Sequence, residues 1–237
     1  MIEDLMASVA QFRSDAQDLR RQARNVGDQK DAAAVLFDAA AKEFKKAITA
    51  LERGLRTLRR QQGDYSRDVC RVLEALSQSY GSLGGTLRDA GDLQQAIELY
   101  DKGNDYEEER RHNCGARDTY NMLQRLIIRL LADPVLLGSP AFVADLSNVR
   151  LELERQVRDG RNDSWALADL ALTQFLCGAE ADAVIADLEK GQAEGTFYES
   201  AYNAVAALVK EGLGKGEALG KRLEAFKRLL HRKGGLA

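Results

Sequence analysis

The sequence predicts an all-α fold, and three observations lead to that class. Ala, Leu, Arg, Glu and Asp, which favour helices, dominate the 237 residues, and only two prolines occur. Runs of Val, Ile, Thr and aromatic residues of the kind that build strands are missing. Apolar residues instead recur at spacings of three and four. A hydrophobic content of 45% is enough to bury a core and excludes a disordered chain.

The first sixty residues predict two long helices. Residues 3–26 carry apolar residues at helical spacing and are followed by a Gly-Asp pair at 27–28. Residues 30–62 continue the same periodicity over an unusual length, until a second Gly-Asp pair interrupts it at 63–64. We therefore expect a pair of long helices that caps one end of the fold.

The stretch from Tyr80 to Gly103 predicts a tight helical hairpin. Its sequence is Y-G-S-L-G-G-T-L-R-D-A-G-D-L-Q-Q-A-I-E-L-Y-D-K-G. A helix over 66–89 and a helix over roughly 93–109 flank the Gly-Asp turn. The small residues Gly84 and Ala96 are expected where the two backbones approach most closely.

The remaining sequence predicts further helices joined by polar links. Residues 110–115, R-R-H-N-C-G, are interpreted as a link, and residues 134–140, which begin and end with proline, as a loop. The run R-D-G-R-N-D-S over 158–164 is the most linker-like turn of the chain. The predicted helices span 117–132, 140–158, 165–176, 180–193, 198–211 and 216–233.

An internal repeat is visible in three segments. The sequences A-I-T-A-L-E-R-G over 47–54, A-I-E-L-Y-D-K-G over 96–103 and V-I-A-D-L-E-K-G over 184–191 share one pattern. A small or β-branched residue, an Ile and a Gly seven residues after the first align in each. The intervals between the segments are unequal, so the repeats are degenerate, with longer helices inserted.

The hairpin resembles the tetratricopeptide repeat (TPR) signature, W-x2-L-G-x2-Y followed by A-x3-F. Seven of its eight usual positions hold an acceptable residue type, and Glu108 replaces the closing proline. A Trp-led unit starting at Trp165 has Leu172 seven residues on but Asp169 at the usual glycine position. This combination also resembles the TRAF-binding helical region of ASK-type stress kinases and stand-alone bacterial TPR proteins.

The resemblance implies one domain over 1–237, built as a right-handed TPR-like solenoid of antiparallel helix pairs. Long N-terminal helices would occupy 1–63, degenerate repeats 64–211 and a capping helix 212–237. In such an array the first helix of each pair lines a concave groove. By register, the groove positions are Gln78, Gly85, Arg88, Asn121, Arg125 and Ile128. An Asn and two Arg side chains there would suit a peptide backbone and a carboxylate.

Composition narrows the classes of partner and the location. With 34 basic and 37 acidic residues, the net charge of −3 gives no reason to expect nucleic-acid or membrane binding. No apolar stretch of membrane-spanning length and no secretory signal are visible, so a cytoplasmic location is expected. The three cysteines are widely spaced and odd in number, and reduced thiols are the simplest interpretation.

The sequence offers little that supports catalysis. His112 and Cys114 lie close together, but no second cysteine or histidine stands at ligand spacing, so neither a metal, a cofactor nor an active site is expected. The glycines between residues 81 and 91 lack the preceding strand of a phosphate loop. Close helix packing explains Gly84, whereas Gly81 and Gly85 leave room for a partner to approach.

Three arginine clusters are the remaining candidates for binding. The clusters are Arg20, Arg21 and Arg24; Arg56, Arg59 and Arg60; and Arg110, Arg111 and Arg117. A solvated helix face with ion pairs is one interpretation, and a site for an acidic peptide or nucleic acid is the other.

The function that the sequence predicts is a non-catalytic adaptor for a protein or peptide with acidic groups. A sensor for a small anion or nucleic acid, and an enzyme of unrecognised type, remain the alternatives.

Overall fold

A computed structural model gives the fold, which is helical in every regular element that it describes. It describes residues 2–26, 29–115, 118–159, 164–190, 198, 201–202, 205–206, 208–209 and 218–234, and no strand occurs among them. The helices are α1 (Ile2–Asn25), α2 (Lys30–Gln62), α3 (Arg67–Asp89), α4 (Leu93–Cys114), α5 (Tyr120–Ala132), α6 (Pro140–Arg158), α7 (Ser164–Leu176), α8 (Ala181–Lys190) and α9 (Ala218–Gly234). The all-α prediction is therefore confirmed for these residues.

Two predicted connections prove to be helical. The predicted link 110–115 belongs to α4, which runs to Cys114 and ends at Gly115 in the left-handed conformation. The predicted loop after residue 133 contains a 3₁₀ helix, Pro134–Gly138, whose first turn is capped by the Asp133 side chain. The turn at 27–28, Arg117, the link 160–163, the side chain of Trp165 and residues 191–197 lie outside the described residues.

The chain divides into two compact units, 1–125 and 126–237, and the boundary falls inside α5. The single domain over 1–237, with internal boundaries near residues 63 and 211, stays a prediction.

Unit 1 is built from helices that alternate in direction. Leu5 of α1 contacts Gly54 of α2, and Lys46 of α2 lies over the ring of Phe12, so α1 and α2 run antiparallel. The hydroxyl of Tyr80 donates to Glu52 at 2.8 Å and the Gln62 amide donates to Asp68 at 3.3 Å, so α3 runs antiparallel to α2.

In the hairpin, α4 runs antiparallel to α3, and α5 begins beside the hairpin. Ser66 and Asp92 cap the two helices by accepting hydrogen bonds from backbone amides three residues on. A Cβ added at Gly84 would lie 3.1 Å from the Tyr100 ring. Gly84 and Ala96 are both buried, as predicted for the closest approach of the hairpin.

The glycines of the hairpin face side chains of this same chain. A Cβ at Gly81 would lie 2.5 Å from Oδ1 of Asn121, and one at Gly85 would lie 2.8 Å from Nη2 of Arg20. A Cβ at Gly103 of α4 would lie 2.6 Å from Asn121 as well. The prediction that Gly81 and Gly85 leave room for a partner is therefore wrong, because α1 and α5 already occupy that space.

Two cysteines form a disulfide, which corrects the prediction of three reduced thiols. Cys70, in the first turn of α3, is bonded to Cys114, in the last turn of α4, and the two Cα atoms are 6.0 Å apart. The bond joins the ends of the hairpin opposite its turn at Gly91. Cys177 is the free cysteine of the described residues. The sequence could not indicate this pairing because 44 residues separate the two cysteines.

Unit 2 packs shorter helices around an aromatic contact. The rings of Phe175 in α7 and Phe226 in α9 stack with centroids 4.6 Å apart, and the Arg222 guanidinium lies 4.8 Å from the Phe175 centroid. Arg222 also donates to the carbonyl of Ala179 at 2.9 Å. These contacts tie α9 to the α7–α8 connection. None of the described helices combines the length and the apolar character that crossing a membrane requires.

Replacing Gly103 with Ala is expected to destabilise unit 1 by about 1–3 kcal/mol, because the new methyl group would overlap the buried Asn121 side chain. Gly138→Ala is the matched control, since a Cβ there meets nothing within 4 Å. Chemical denaturation measures both. Equal midpoints for the two variants would show that α4 and α5 are not in this close contact.

The disulfide predicts a thiol count and a stability change. Protein denatured without reductant should contain one reactive thiol, that of Cys177, rather than three. Replacing Cys70 and Cys114 together with Ser should lower the free energy of unfolding by about 2–4 kcal/mol, because the unfolded chain loses a cross-link. Three thiols in freshly purified protein would restore the interpretation made from the sequence.

Candidate functional site

Three arginines converge on one carboxylate at the C-terminal end of α3. Arg20 Nε and Arg24 Nη2, one turn apart on α1, donate to Asp89 Oδ2 at 2.8 and 2.5 Å. Arg88 Nη2 donates to the other oxygen, Oδ1, at 3.2 Å. We call these four residues the arginine cluster.

The surroundings of the arginine cluster hold its side chains in place. Gly85 lies one turn before Asp89 on α3, and its missing side chain makes room for the Arg20 guanidinium. Arg88 Nη1 donates to Gln124 Oε1 of α5 at 2.6 Å. Contacts from three helices of unit 1, α1, α3 and α5, therefore hold the cluster in place.

The charges of the arginine cluster are strongly coupled. Burial by itself would raise the pKa of Asp89, but attraction to Arg20, Arg88 and Arg24 outweighs it and holds that pKa below its usual value. Burial opposes the charge of Arg88 too, yet nearby tyrosines and Asp89 raise its pKa overall. The Asp89 carboxylate is thus held in its ionised form, and three guanidinium groups lie against it.

Accessibility differs among the three arginines and decides what the cluster can bind. The side chain of Arg24 is 52% exposed, whereas those of Arg20 and Asp89 are 15% and 14% exposed. Arg88 is intermediate. An incoming carboxylate or phosphate can therefore reach Arg24 and one edge of Arg88, while Arg20 and Asp89 form the base of the site. Guanidinium groups bind such anions through paired, charge-assisted hydrogen bonds.

The structure places the predicted groove residues in different surroundings. Arg88 belongs to the arginine cluster, with Gly85 at its base. Half-buried Gln78 accepts a hydrogen bond from Arg13 of α1 at 3.0 Å, and half-buried Arg125 pairs with Asp101 of α4 at 2.6 Å. Partner binding by the accessible members, Gln78, Arg88 and Arg125, stays a prediction.

Two other predicted groove residues are buried, which the helical register could not reveal. Asn121 is 2% exposed and fills the space left by Gly81 and Gly103, where its amide donates to the Ser77 hydroxyl at 2.8 Å. Ile128 is also buried. Neither offers a surface to a partner in this structure. Asn121 instead fixes the start of α5 against the hairpin.

The solvated face expected for Arg20 and Arg24 is corrected for Arg20, which is 15% exposed and pairs with Asp89. Arg24 also donates to Asp89 but is 52% exposed, and Arg21, paired with Asp18, is 72% exposed. The sequence did not single out Asp89 or Gln124, because their contacts with α1 and α3 are long-range. The spacing of Arg20 and Arg24, four residues apart on one helix face, was the available signal.

Three further arginines that the sequence analysis singled out, Arg59, Arg110 and Arg111, form ion pairs with acidic neighbours. Arg59 pairs with Glu109 and Asp64, Arg110 with Glu74 at 3.1 Å and with Glu107, and Arg111 with Glu108 at 2.9 Å. These pairs agree with the interpretation of charged helix faces. Each of these arginines has at least one carboxylate of its own.

His112 and Cys114, which the sequence analysis considered as a metal or catalytic site and did not favour, lie at the end of α4. The Cys114 sulfur is bonded to Cys70 and is therefore not a thiolate in this structure, and His112 is exposed. Among the described residues, no group of three His, Cys, Asp or Glu side chains is arranged to hold a metal ion.

A buried carboxylate positions the start of α5. Glu107 of α4 is 1% exposed, and its Oε2 accepts a hydrogen bond from the Asp118 amide at 2.7 Å. Arg110 Nη1 donates to the same oxygen at 3.4 Å. Burial raises the pKa of Glu107 to about 6 despite these favourable contacts. The carboxylate is therefore retained in the core at an energetic penalty above that pH.

No family model matches this chain, and the comparisons with curated proteins and with solved structures also gave no match. The resemblance to TPR proteins and to the TRAF-binding region of stress kinases therefore stays a prediction.

Glu107→Gln is expected to raise the free energy of unfolding at pH 7.5 by up to about 2 kcal/mol. Because the folded chain holds the proton more tightly, the wild-type protein loses stability as the pH rises from 4.5 through 6, and the amide removes that loss. Urea denaturation at several pH values measures the effect. Glu108→Gln, on the same helix, should retain the wild-type pH profile. A variant less stable than wild type at pH 7.5 would show that the Arg110 pair outweighs burial.

Proposed function

We propose that this chain is a non-catalytic adaptor that binds an acidic group of a protein or peptide partner through the arginine cluster. One observation carries the proposal: three guanidinium groups surround a single carboxylate, and the most accessible of them, Arg24, is half exposed. A partner carboxylate there would neutralise the excess positive charge without needing to displace Asp89.

The helix arrangement of unit 1 supports a TPR-like stacking, which we propose as the architecture. Arg71 of α3 bonds to Glu3 of α1 at 2.7 Å, and Arg20 lies beside Gly85, so α1 and α3 run parallel with α2 antiparallel to both. Alternate helices that run side by side are the arrangement in which TPR proteins form their binding face. The arginine cluster lies where α1 meets α3 in that arrangement.

A sensor for a small anion is the second candidate, and the same cluster favours it. Asp89 already shows how one carboxylate satisfies three guanidinium groups. A small dicarboxylate or phosphate could bind at Arg24 and Arg88 in a similar way. The two functions differ in the length of ligand needed: a sensor should bind phosphate or citrate as tightly as an acidic peptide, whereas an adaptor should prefer the peptide.

The location and the enzyme alternative are further proposals. A cytoplasmic place for the adaptor stays a prediction, and the Cys70–Cys114 disulfide counts against it, because such bonds persist mainly in oxidising compartments. An enzyme of unrecognised type would need a set of reacting groups that neither the sequence nor the described residues single out.

Replacing Arg24 with Gln should weaken the binding of a fluorescent hexaglutamate peptide about threefold to tenfold, because the most accessible charge of the cluster is lost. Fluorescence anisotropy at low salt measures the dissociation constant. Arg21→Gln is the matched control: it removes the same charge from the same helix at a site 72% exposed. Equal losses in the two variants would mean that the overall charge, rather than the cluster, drives binding.

A further inference from the structure

A groove of about 680 Å³ lies between α1 and α2, away from the arginine cluster. Its apolar part is formed by Phe12 of α1 and by Ala39 and Ala50 of α2. Phe12 is only half buried, although it packs against the main core of unit 1. The groove therefore leaves part of the Phe12 side chain exposed to solvent.

Basic side chains of α2 border this groove. They are Lys42, Lys45, Lys46 and Arg53, and Glu43 is the one acidic residue that lines it. In a chain whose net charge is −3, this concentration of positive charge is a local departure from the average.

The basic residues differ in how far their charge is already neutralised. Lys42 pairs with Asp38 at 2.7 Å, and Lys46 pairs with Glu43 at 2.6 Å. Lys45 and Arg53 have exposed side chains and form no ion pair within the part of the chain that the structure describes. Two positive charges at the border of the groove are thus available to a partner.

The spacing of these residues suits an elongated ligand. From Lys42 to Arg53 the border follows one face of α2 for eleven residues, or about 16 Å at the helical rise. The Lys46 ammonium lies 6.0 Å from the Phe12 ring centroid, so positive charge and apolar surface are close together between Lys42 and Arg53. A ligand that matches must carry negative charges at both ends and an apolar group between them.

We propose that this groove binds an acidic amphipathic segment of a partner protein. The segment packs an apolar side chain against Phe12 and places carboxylates opposite Lys45 and Arg53. Complementary charge supports an acidic ligand, and the apolar base, formed by one aromatic ring and two alanines, offers room for an apolar side chain of a peptide. The groove shares no residue with the arginine cluster, so the chain presents two separate basic surfaces.

A peptide-display selection on the intact wild-type chain tests this proposal. Selected peptides are then synthesised, and their dissociation constants are measured against Lys45→Glu/Arg53→Glu and against Arg56→Glu/Arg60→Glu. Both double variants reverse two exposed charges on α2, but Arg56 and Arg60 do not line the groove. Circular dichroism melts confirm that the substitutions leave the fold intact.

The expected result is a set of peptides with acidic residues three or four positions on either side of a large apolar residue. They should bind Lys45→Glu/Arg53→Glu at least tenfold more weakly than the control variant, and Arg24→Gln within threefold of wild type. Hexaglutamate, which lacks an apolar side chain, should bind the groove variant within threefold of wild type, and this separates the groove from the arginine cluster.

Three results would overturn the proposal. One is selection of no acidic peptides, and another is an equal loss of binding in the groove variant and its control. The third is stronger binding of the wild-type chain to single-stranded DNA or to phosphatidylserine vesicles than to the peptides, with the same dependence on Lys45 and Arg53. That result would assign the groove to a nucleic acid or a membrane surface.

Discussion

The packing around α3 depends on positions where a side chain is missing. Gly81, Gly84 and Gly85 follow one another within five residues, and each faces a large group from another helix: Asn121 of α5, Tyr100 of α4 and Arg20 of α1. Because these groups come from three different helices, α3 is the helix against which α1, α4 and α5 all pack. The arginine cluster exists only because Arg20 can lie flat against the α3 backbone at Gly85.

The same constraint explains the placing of α5. Asn121 is held between Gly81 and Gly103, and Glu107 accepts the Asp118 amide just before the helix begins. Apolar packing alone would leave the rotation of α5 about its axis loosely determined, whereas hydrogen bonds to Ser77 and Glu107 fix it. Gln124 consequently faces Arg88. A buried carboxylate with a raised pKa is thus part of what positions the candidate site, and its penalty is offset by packing elsewhere.

The sequence predicted those features that depend on residues near one another along the chain. The bounds of α2 and the hairpin turn at Gly91 follow from periodicity and turn residues, and Gly84 and Ala96 lie buried as the pattern indicated. The link predicted at 110–115 was wrong, because the polar run R-R-H-N-C-G was interpreted as irregular although its two Arg residues are good helix formers.

What the sequence could not predict depends on contacts between distant residues. The register predicted Arg88 as a groove residue but could not show that Arg20 and Arg24 reach the neighbouring Asp89 carboxylate from 69 and 65 residues away. The Cys70–Cys114 bond is of the same kind. Helical periodicity also could not distinguish a groove position from a buried one. Asn121 and Arg125 are polar residues one turn apart on α5, but only Asn121 packs against two glycines and is buried.

Asp89 limits how strongly a ligand could bind at the arginine cluster. A ligand gains little from Arg20, whose charge Asp89 already balances at 2.8 Å in a largely buried environment. It gains more from Arg24, but that side chain is half exposed, and water and salt screen its charge. Under the proposed function, a single acidic group would therefore bind this site weakly and reversibly. Tight association requires a second contact on the same partner, and the groove between α1 and α2 offers one on a surface with its own charge and an apolar base.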